Sequence, residues 1–218
     1  MLDIHCHILP GIDHGSSCLE ESIAMLDAAR AAGIDRIAGT PHCLERDFDV
    51  DEVRAAVELL RPHAEQRGIR LLGGAEVHWK ALAERGLDSA HELCIGGSPY
   101  LLLEFSTQSL PVSWESALRA LVADGIVPVI AHPERYAPIR ANVSKALQMR
   151  AIGCKLQLSA NFVAPSKSKS RLACARKLFE LGAVDFVASD AHCVEDYANF
   201  AEARALMLRE HLALAQPR

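Results

Sequence analysis

The chain has 218 residues, 50% of them hydrophobic, and a formal net charge of -5. This length suits one well-buried domain and is short for two, so a single domain over residues 1–218 is expected. The acidic balance provides no basic field of the kind that nucleic-acid-binding proteins use, so no nucleic-acid partner is expected. A phosphate-bearing substrate would need local cations, either metal ions or a few arginines.

The first residues, Met1–His5, enter an apolar strand pattern without the basic and apolar regions of a secretory signal. No stretch approaches the roughly 18 apolar residues that span a bilayer, so membrane insertion is not expected. The cysteines, 7 in number, form no CxxC pair, and an odd count favours reduced thiols over a disulfide framework. We therefore expect a cytoplasmic protein.

Short apolar runs alternate along the chain with longer amphipathic stretches. The predicted strands are Leu2–His5, Arg36–Gly39, Ile69–Gly74, Tyr100–Phe105, Val127–Ala131, Cys154–Leu158 and Val184–Ser189. The predicted helices are Ser17–Ala32, Asp51–Arg67, Trp114–Asp124, Asn142–Ile152, Ser168–Leu181 and Tyr197–Leu214. A repeating strand-then-helix order indicates parallel strands with helices packed outside.

Residues of metal-ligand type stand at the carboxyl ends of most predicted strands. In chain order they are His5 and His7, His42, Glu76, Glu104, His132, and finally Asp190 with His192. An open doubly wound sheet would spread these strand ends along a line, whereas a closed sheet brings them to one mouth. We therefore predict an α/β fold, a distorted (β/α)7 barrel, with a metal site at the C-terminal mouth of its strands.

His5-Cys6-His7 is the strongest local signal. Residues i and i+2 of an extended segment point to the same side, so both imidazoles face one point while Cys6 faces away. A lone HxH pattern is equally compatible with two solvent-exposed histidines. Its position at the end of an apolar strand favours metal ligands here, and Asp190 with His192 repeats the same spacing.

Glu76 and Glu104 each close an apolar strand. A buried carboxylate must be paired, protonated or bound to a metal. A single instance would more often form an ion pair with a lysine or arginine. Two instances in a chain rich in histidine shift the interpretation toward metal, and a carboxylate can bridge two cations.

His132 leaves the fifth strand, and Arg135 follows three residues later. The planar guanidinium of Arg135 suits bidentate binding of a phosphoryl group. The alternative is that Arg135 pairs with Glu134 or another neighbouring acid.

Mixed imidazole and carboxylate ligands without thiolate suit Mn²⁺, Fe or Zn²⁺. The candidate ligands are too many for one ion, so two or three divalent ions are expected. Such ions lower the pKa of bound water and neutralise the oxygens of a phosphate ester. The sequence contains no GxSxG elbow, no P-loop and no cysteine followed six residues later by arginine. Hydrolysis of a phosphate ester by metal-activated water is the reaction that fits best.

Six motifs, in order, resemble the PHP superfamily and, more narrowly, the bacterial PHP-type protein-tyrosine phosphatases of capsule and exopolysaccharide biosynthesis. They are residues 3–13, Thr40-Pro41-His42, Gly74-Ala75-Glu76, Leu103-Glu104-Phe105, residues 131–136 and Ser189-Asp190-Ala191-His192. The resemblance implies a TIM-like PHP fold and manganese-dependent hydrolysis of phosphotyrosine. It also implies a protein substrate, a bacterial tyrosine kinase that controls polysaccharide synthesis.

The resemblance further implies a three-metal site in which Glu76 bridges two ions, while Arg135 binds the phosphate and stabilises the transition state. The ligands carried over are His5, His7, Glu76 and Asp190 for one ion, Glu104 and His132 with Glu76 for a second, and His42 and His192 for a third. Small-molecule phosphatases of the same superfamily, such as those acting on histidinol phosphate, are the enzymatic alternative.

Two positions depart from the family pattern. The chain has Asp13-His14-Gly15 where members usually carry Asp-Asp-Gly, and the second aspartate is a ligand of the third metal. His14 can also ligate, but it removes one negative charge, so the third site is either retuned or impaired. The arginine that usually follows the final histidine is missing too. A metal-binding regulatory protein with impaired catalysis is therefore a second alternative.

Overall fold

The structure is a computed structural model that describes residues 1–164 and 168–214. Within these residues the strands are β1 Leu2–Cys6, β2 Arg36–Gly39, β3 His42–Cys43, β4 Arg70–Gly73, β5 Glu76–His78, β6 Tyr100–Glu104, β7 Val127–Ala131, β8 Lys155–Ser159 and β9 Phe186–Ala188. The α-helices are α1 Leu19–Ala31, α2 Val50–Gln66, α3 Trp79–Arg85, α4 Trp114–Ala123, α5 Ala137–Ala141, α6 Ser144–Ile152, α7 Lys169–Glu180 and α8 Asp196–Arg209.

All strand pairs are parallel, as the alternating pattern predicts. One sheet runs β1-β2-β4 and the other β3-β5-β6-β7-β8-β9. The strands β2 and β3 are two parts of one interrupted strand, as are β4 and β5, so the sheet occupies seven positions. Between β9 and β1 the ladder reduces to an isolated parallel bridge, Cys6 to Ala191. The barrel is therefore distorted at this seam.

The structure differs from the predicted elements mainly in short segments. β3 and β5 have 2 and 3 residues, and α3 and α5 have 7 and 5, too few for a periodic pattern to be visible. The last helix ends at Arg209 instead of Leu214. By contrast, α2 follows its sequence signals closely, because Asp49 caps its amino end and accepts hydrogen bonds from the backbone of Asp51 and Glu52.

Apolar side chains fill the barrel interior, and others pack between the strands and the surrounding helices. Ile4, Leu102 and Val129 belong to a small interior cluster, whereas Leu101 and Leu103 of the same β6 strand belong to the large cluster shared with the helices. This alternation is the period of two expected for a strand. The interior is packed below the mouth, so polar chemistry is confined to the carboxyl ends of the strands.

A β-bulge in β1 sets the direction of the first two histidines. The pairing of β1 with β2 shifts register between Asp3 and Cys6. Ile4 therefore faces the barrel interior while Cys6, two residues later, packs against the helices. Bulges are known to re-aim side chains beside functional sites. Here the bulge turns the two histidines that flank Cys6 toward the mouth.

None of the helices in residues 1–164 and 168–214 combines the length and apolar composition needed to cross a bilayer.

Candidate metal centre

Four side chains meet at the buried end of the mouth and form what we call the inner cluster: His5, His7, Glu76 and Asp190. Their side chains are at most 2% exposed. The Nε2 atoms of His5 and His7 are 3.3 Å apart. His5 Nε2 lies 3.0 Å from Glu76 Oε2 and 3.3 Å from Asp190 Oδ1. Ligand bonds of about 2.0–2.2 Å separate the donor atoms of a tetrahedral site by roughly 3.3–3.6 Å, so this donor set fits one divalent ion.

A second layer of hydrogen bonds holds the inner histidines. His7 Nδ1 lies 2.7 Å from Asp13 Oδ2, and His5 Nδ1 lies 2.9 Å from Gln157 Oε1. Each acceptor favours a proton on Nδ1 and so leaves Nε2 to face the cluster. Burial alone would lower the pKa of His7, but its contacts with Asp13 and Glu76 outweigh burial and raise the pKa to about 9. Asp13 and Glu76 therefore favour a positive charge at the His7 ring.

The second group, the middle cluster, consists of Glu76, Glu104 and His132, with His42 at its edge. The two oxygens of Glu76 face different partners: Oε1 lies 2.7 Å from His132 Nε2, and Oε2 lies 3.0 Å from His42 Nδ1. Burial and the neighbouring charge of Glu76 raise the pKa of Glu104 to about 7. A shared cation would relieve the repulsion between these two carboxylates. Glu76 is therefore placed to join the inner and middle clusters.

The third group, which we call the outer cluster, consists of His14, His42 and His192. Its ligand atoms come together in two overlapping sets, one of His42 and His192 with His7 and one of His14 and His42 with Asp13. Ring centroids are 4.8 Å apart for His14 and His42, 4.7 Å for His14 and His192, and 6.0 Å for His42 and His192. Burial and the nearby imidazoles lower the pKa of His192 to about 3, so this ring is neutral and can donate a lone pair. Gly15 allows the loop that carries His14 to pass close to the backbone of His7, because a Cβ at position 15 would lie 2.1 Å from the His7 carbonyl oxygen.

Arg135 borders the inner cluster. Its Nη2 donates hydrogen bonds to Asp190 Oδ2 and, at 3.0 Å, to Ser159 Oγ. Within residues 1–164 and 168–214, its buried Nε has no hydrogen-bond partner. Of the two interpretations of the sequence, pairing with an acid is seen, although the acid is Asp190 and not the adjacent Glu134. The pairing leaves part of the guanidinium available to a ligand.

Two of the candidate ligands have a backbone conformation that is rare outside glycine. His132 has φ 34° and Asp190 has φ 52°. Such positions cost on the order of 1–3 kcal/mol and persist where surrounding structure enforces them. His132 turns out of β7 ahead of Pro133, and the backbone N–H of Asp190 donates to the His5 carbonyl at 2.8 Å. The strain directs both side chains across the mouth.

The structure brings all the predicted site residues to this mouth. They are His5, His7, His14, His42, Glu76, Glu104, His132, Arg135, Asp190 and His192. Sequence reasoning missed the supporting roles of Asp13 and Gln157. Asp13 stood inside a recognised motif. Gln157 lies in β8, where polar and apolar residues alternate, so no separate signal pointed to it.

Comparison with known proteins gives a consistent result. The sequence matches the family described as capsular polysaccharide synthesis, CpsB/CapC, over residues 1–211. It is 35% identical to the tyrosine-protein phosphatase YwqE of Bacillus subtilis (strain 168), over 96% of this chain and 84% of that protein. It is 28% identical to the tyrosine-protein phosphatase CpsB of Streptococcus agalactiae, over 96% of this chain and 90% of that protein.

The fold is similar to that of solved structures. One similar structure comes from work on YwqE of Bacillus subtilis and CpsB of Streptococcus pneumoniae, described there as unique metal-dependent tyrosine phosphatases. The TM-score is 0.86 at 31% sequence identity, covering 96% of this chain and 87% of that one. This similarity confirms the predicted α/β fold.

Proposed function

Because the chain belongs to the CpsB/CapC family of capsular polysaccharide synthesis, we propose that it is a single-domain, metal-dependent protein-tyrosine phosphatase whose catalytic centre is the barrel mouth. One observation carries the assignment. Imidazoles and carboxylates from six strand positions converge on contiguous clusters, and a guanidinium borders them. Such a centre suits a substrate with concentrated negative charge, as a phosphate monoester has.

We propose that the inner cluster holds one divalent ion, that Glu76 bridges it to a second ion at Glu104 and His132, and that the outer cluster holds a third. Mn²⁺ is the preferred ion for the inner and middle clusters, because carboxylates make up at least half of the residues in each. Fe and Zn²⁺ accept the same donor types.

Bound divalent ions would supply a nucleophilic water near neutral pH and charge neutralisation for the phosphoryl oxygens. Arg135 binds the phosphoryl group through the guanidinium N–H groups that are not paired with Asp190 and Ser159, which fix its Nη2. Preorganised donors of this kind stabilise charge that develops in the transition state. Asp13 and Gln157 keep the imidazoles of His7 and His5 oriented during the reaction.

Access to the centre is from its outer end. His14 is exposed and His42 and His192 are half-buried, whereas His5 and His7 are fully buried. A phosphotyrosine on a protein surface would therefore meet the outer cluster and Arg135 first. We propose that the physiological substrate is a bacterial tyrosine kinase of polysaccharide synthesis, dephosphorylated in the cytoplasm, where the seven free thiols would remain reduced.

The test is turnover by protein stripped of metal and reloaded with Mn²⁺. A phosphotyrosine peptide, the matching phosphoserine peptide and histidinol phosphate are compared at equal concentrations, with metal content measured in the same samples. We expect hydrolysis of the phosphotyrosine peptide that depends on Mn²⁺ and exceeds that of the other two. Preferred turnover of histidinol phosphate would overturn the substrate, and full metal content without turnover would indicate a regulatory protein.

A further inference from the structure

His78 ends β5 at the carboxyl edge of the barrel and belongs to none of the three clusters. The residue before it, Val77, packs in the large cluster shared with the helices, so Glu76 and His78 share the other face of the strand. Two residues of a strand rise by roughly 6.6 Å, which places His78 on the solvent side of Glu76. The imidazole is half-buried, and it lies close enough to Glu76 and His42 for their charges to act on it.

The proton of this imidazole has a defined position. His78 Nδ1 lies 3.3 Å from the backbone nitrogen of Lys80 and caps the amino end of α3. A backbone N–H can only donate, so Nδ1 accepts, the ring is neutral, and its proton is on Nε2. In the part of the chain that the structure describes, this is the only hydrogen bond of the ring. The Nε2–H group is therefore available to a substrate.

The strand order places His78 on the other side of Glu104 from Arg135. β5 carries His78, its neighbour β6 carries Glu104, and β7 leads to His132 and Arg135. His78 and Glu104 are in register on their adjoining strands. A phosphoryl group bound at the middle cluster would therefore lie between the guanidinium and the imidazole.

A phosphate ester bound at the middle cluster has one direction in which its alcohol can leave. In an in-line displacement the leaving oxygen lies opposite the attacking water. The side chains of the inner cluster, Glu76 included, are buried, so the tyrosine of a protein substrate can approach only from the solvent side. His78 lies on that side and presents a hydrogen-bond donor there.

We propose that His78 is a catalytic residue that donates a hydrogen bond from Nε2 to the phenolic oxygen of the departing tyrosine. This inference deepens the proposed function and rests on it. The oxygen of water bonds to phosphorus, the bond between phosphorus and the phenolic oxygen breaks, and its electron pair remains on the phenolic oxygen. The imidazole stabilises that developing charge as a preorganised donor. The attacking water gives its proton to solvent, solvent protonates the departed phenolate, and His78 keeps its own proton throughout.

The test compares two aryl phosphates whose leaving groups differ in how strongly they need a donor. The charge of p-nitrophenolate is delocalised into its nitro group, whereas the phenolate from phenyl phosphate, like that of tyrosine, carries its charge mainly on oxygen. Loss of a donor to the leaving oxygen should therefore lower kcat about 10²-fold for phenyl phosphate and less than about threefold for p-nitrophenyl phosphate. A purely structural defect would lower both rates by the same factor.

Two substitutions separate the donor from the helix cap. In His78→Asn an oxygen takes the place of Nδ1 and can still cap α3, but no atom takes the place of Nε2. In His78→Gln the amide N–H group reaches the position of Nε2, while the cap is lost. We expect the large loss on phenyl phosphate in His78→Asn, whereas His78→Gln should stay within about tenfold on both esters. His91→Asn, at an exposed histidine paired with Asp124, is the control.

Equal rate changes for both esters in His78→Asn, or none, would refute the role of His78 and leave the proposed function standing. Turnover of neither ester by the unchanged, Mn²⁺-loaded protein would overturn both. A second measurement needs no turnover: ¹⁵N NMR of metal-free protein labelled at histidine should show the His78 proton on Nε2. A proton on Nδ1 would also contradict the proposal.

Discussion

The inner and outer ends of the metal centre are built on different principles. Inner side chains are buried, and the His5 and His7 rings are each fixed by a partner behind them, Gln157 and Asp13. At the outer end His14 is exposed and stacks on His42, while His192 Nδ1 lies 3.0 Å from the backbone oxygen of Asp190 and 3.9 Å from its Oδ1. The inner end is rigidly positioned, and the outer end is adaptable.

This difference indicates where the chain can change its chemistry. Replacing an inner residue disturbs a buried network of charges whose members depend on each other, and such networks tolerate few changes. An exposed ligand with no second-layer carboxylate can be exchanged with little effect on folding. Position 14 is such a position, because the side chain of His14 is exposed.

The largest expected effect comes from Glu76→Gln, which removes the charge shared by the inner and middle clusters. Because each oxygen of Glu76 faces a different set of partners, the substitution should weaken both ions and lower phosphatase activity by about 10³-fold. Metal analysis after gel filtration and turnover of a phosphotyrosine peptide measure this. Glu58→Gln, at an exposed residue paired with Arg61, is the control. Retention of full metal content would contradict a bridging role.

Arg135→Lys separates phosphate binding from metal binding. Lysine keeps the positive charge but loses the planar fork, so we expect kcat to fall about 10²-fold with metal content unchanged. Arg119→Lys, on the exposed face of α4, should behave as the unchanged protein does. A parallel loss of metal would mean that Arg135 mainly stabilises Asp190 within the inner cluster.

Gln157→Met tests the second layer directly. The side chain keeps its approximate volume but no longer accepts from His5 Nδ1, so the affinity of the inner cluster for Mn²⁺ should fall about 10–100-fold. The outer cluster should be unaffected, which anomalous diffraction that locates each ion separately can establish. Gln157→Glu should retain the Mn²⁺ affinity of the inner cluster, since a carboxylate oxygen also accepts a hydrogen bond from His5 Nδ1–H. Gln148→Met, exposed on α6, is the control.

Much of this centre could be predicted from the sequence because parallel strands end together. Once the alternating pattern indicated parallel strands, ligand-type residues at their carboxyl ends had to share one mouth. His5 and His7 were paired by the period of two in an extended segment. Glu76 and His42, on different strands, are neighbours in register across β3 and β5.

The remaining contacts depend on which side chains face each other across the barrel, and local patterns do not contain this information. Arg135 reaches Asp190, which is 55 residues away along the chain, instead of the adjacent Glu134. Gln157 reaches His5 across 152 residues. The bulge in β1 that directs His5 and His7 arises from pairing with β2. Such contacts require the closed sheet before they can be seen.

The smallest expected effect concerns Cys193, an exposed thiol beside His192 at the outer end. Partial desolvation and the neighbouring Glu195 and Asp196 raise its pKa to about 11, so only about one thiol in 10³ is ionised at pH 8. Iodoacetamide at pH 7.5 should therefore leave activity unchanged, and the alkylation rate at Cys193 should rise about tenfold per pH unit below its pKa. Residual turnover and mass spectrometry of Cys193 measure both quantities. Rapid alkylation of Cys193 at pH 7.5 would contradict the raised pKa of this thiol.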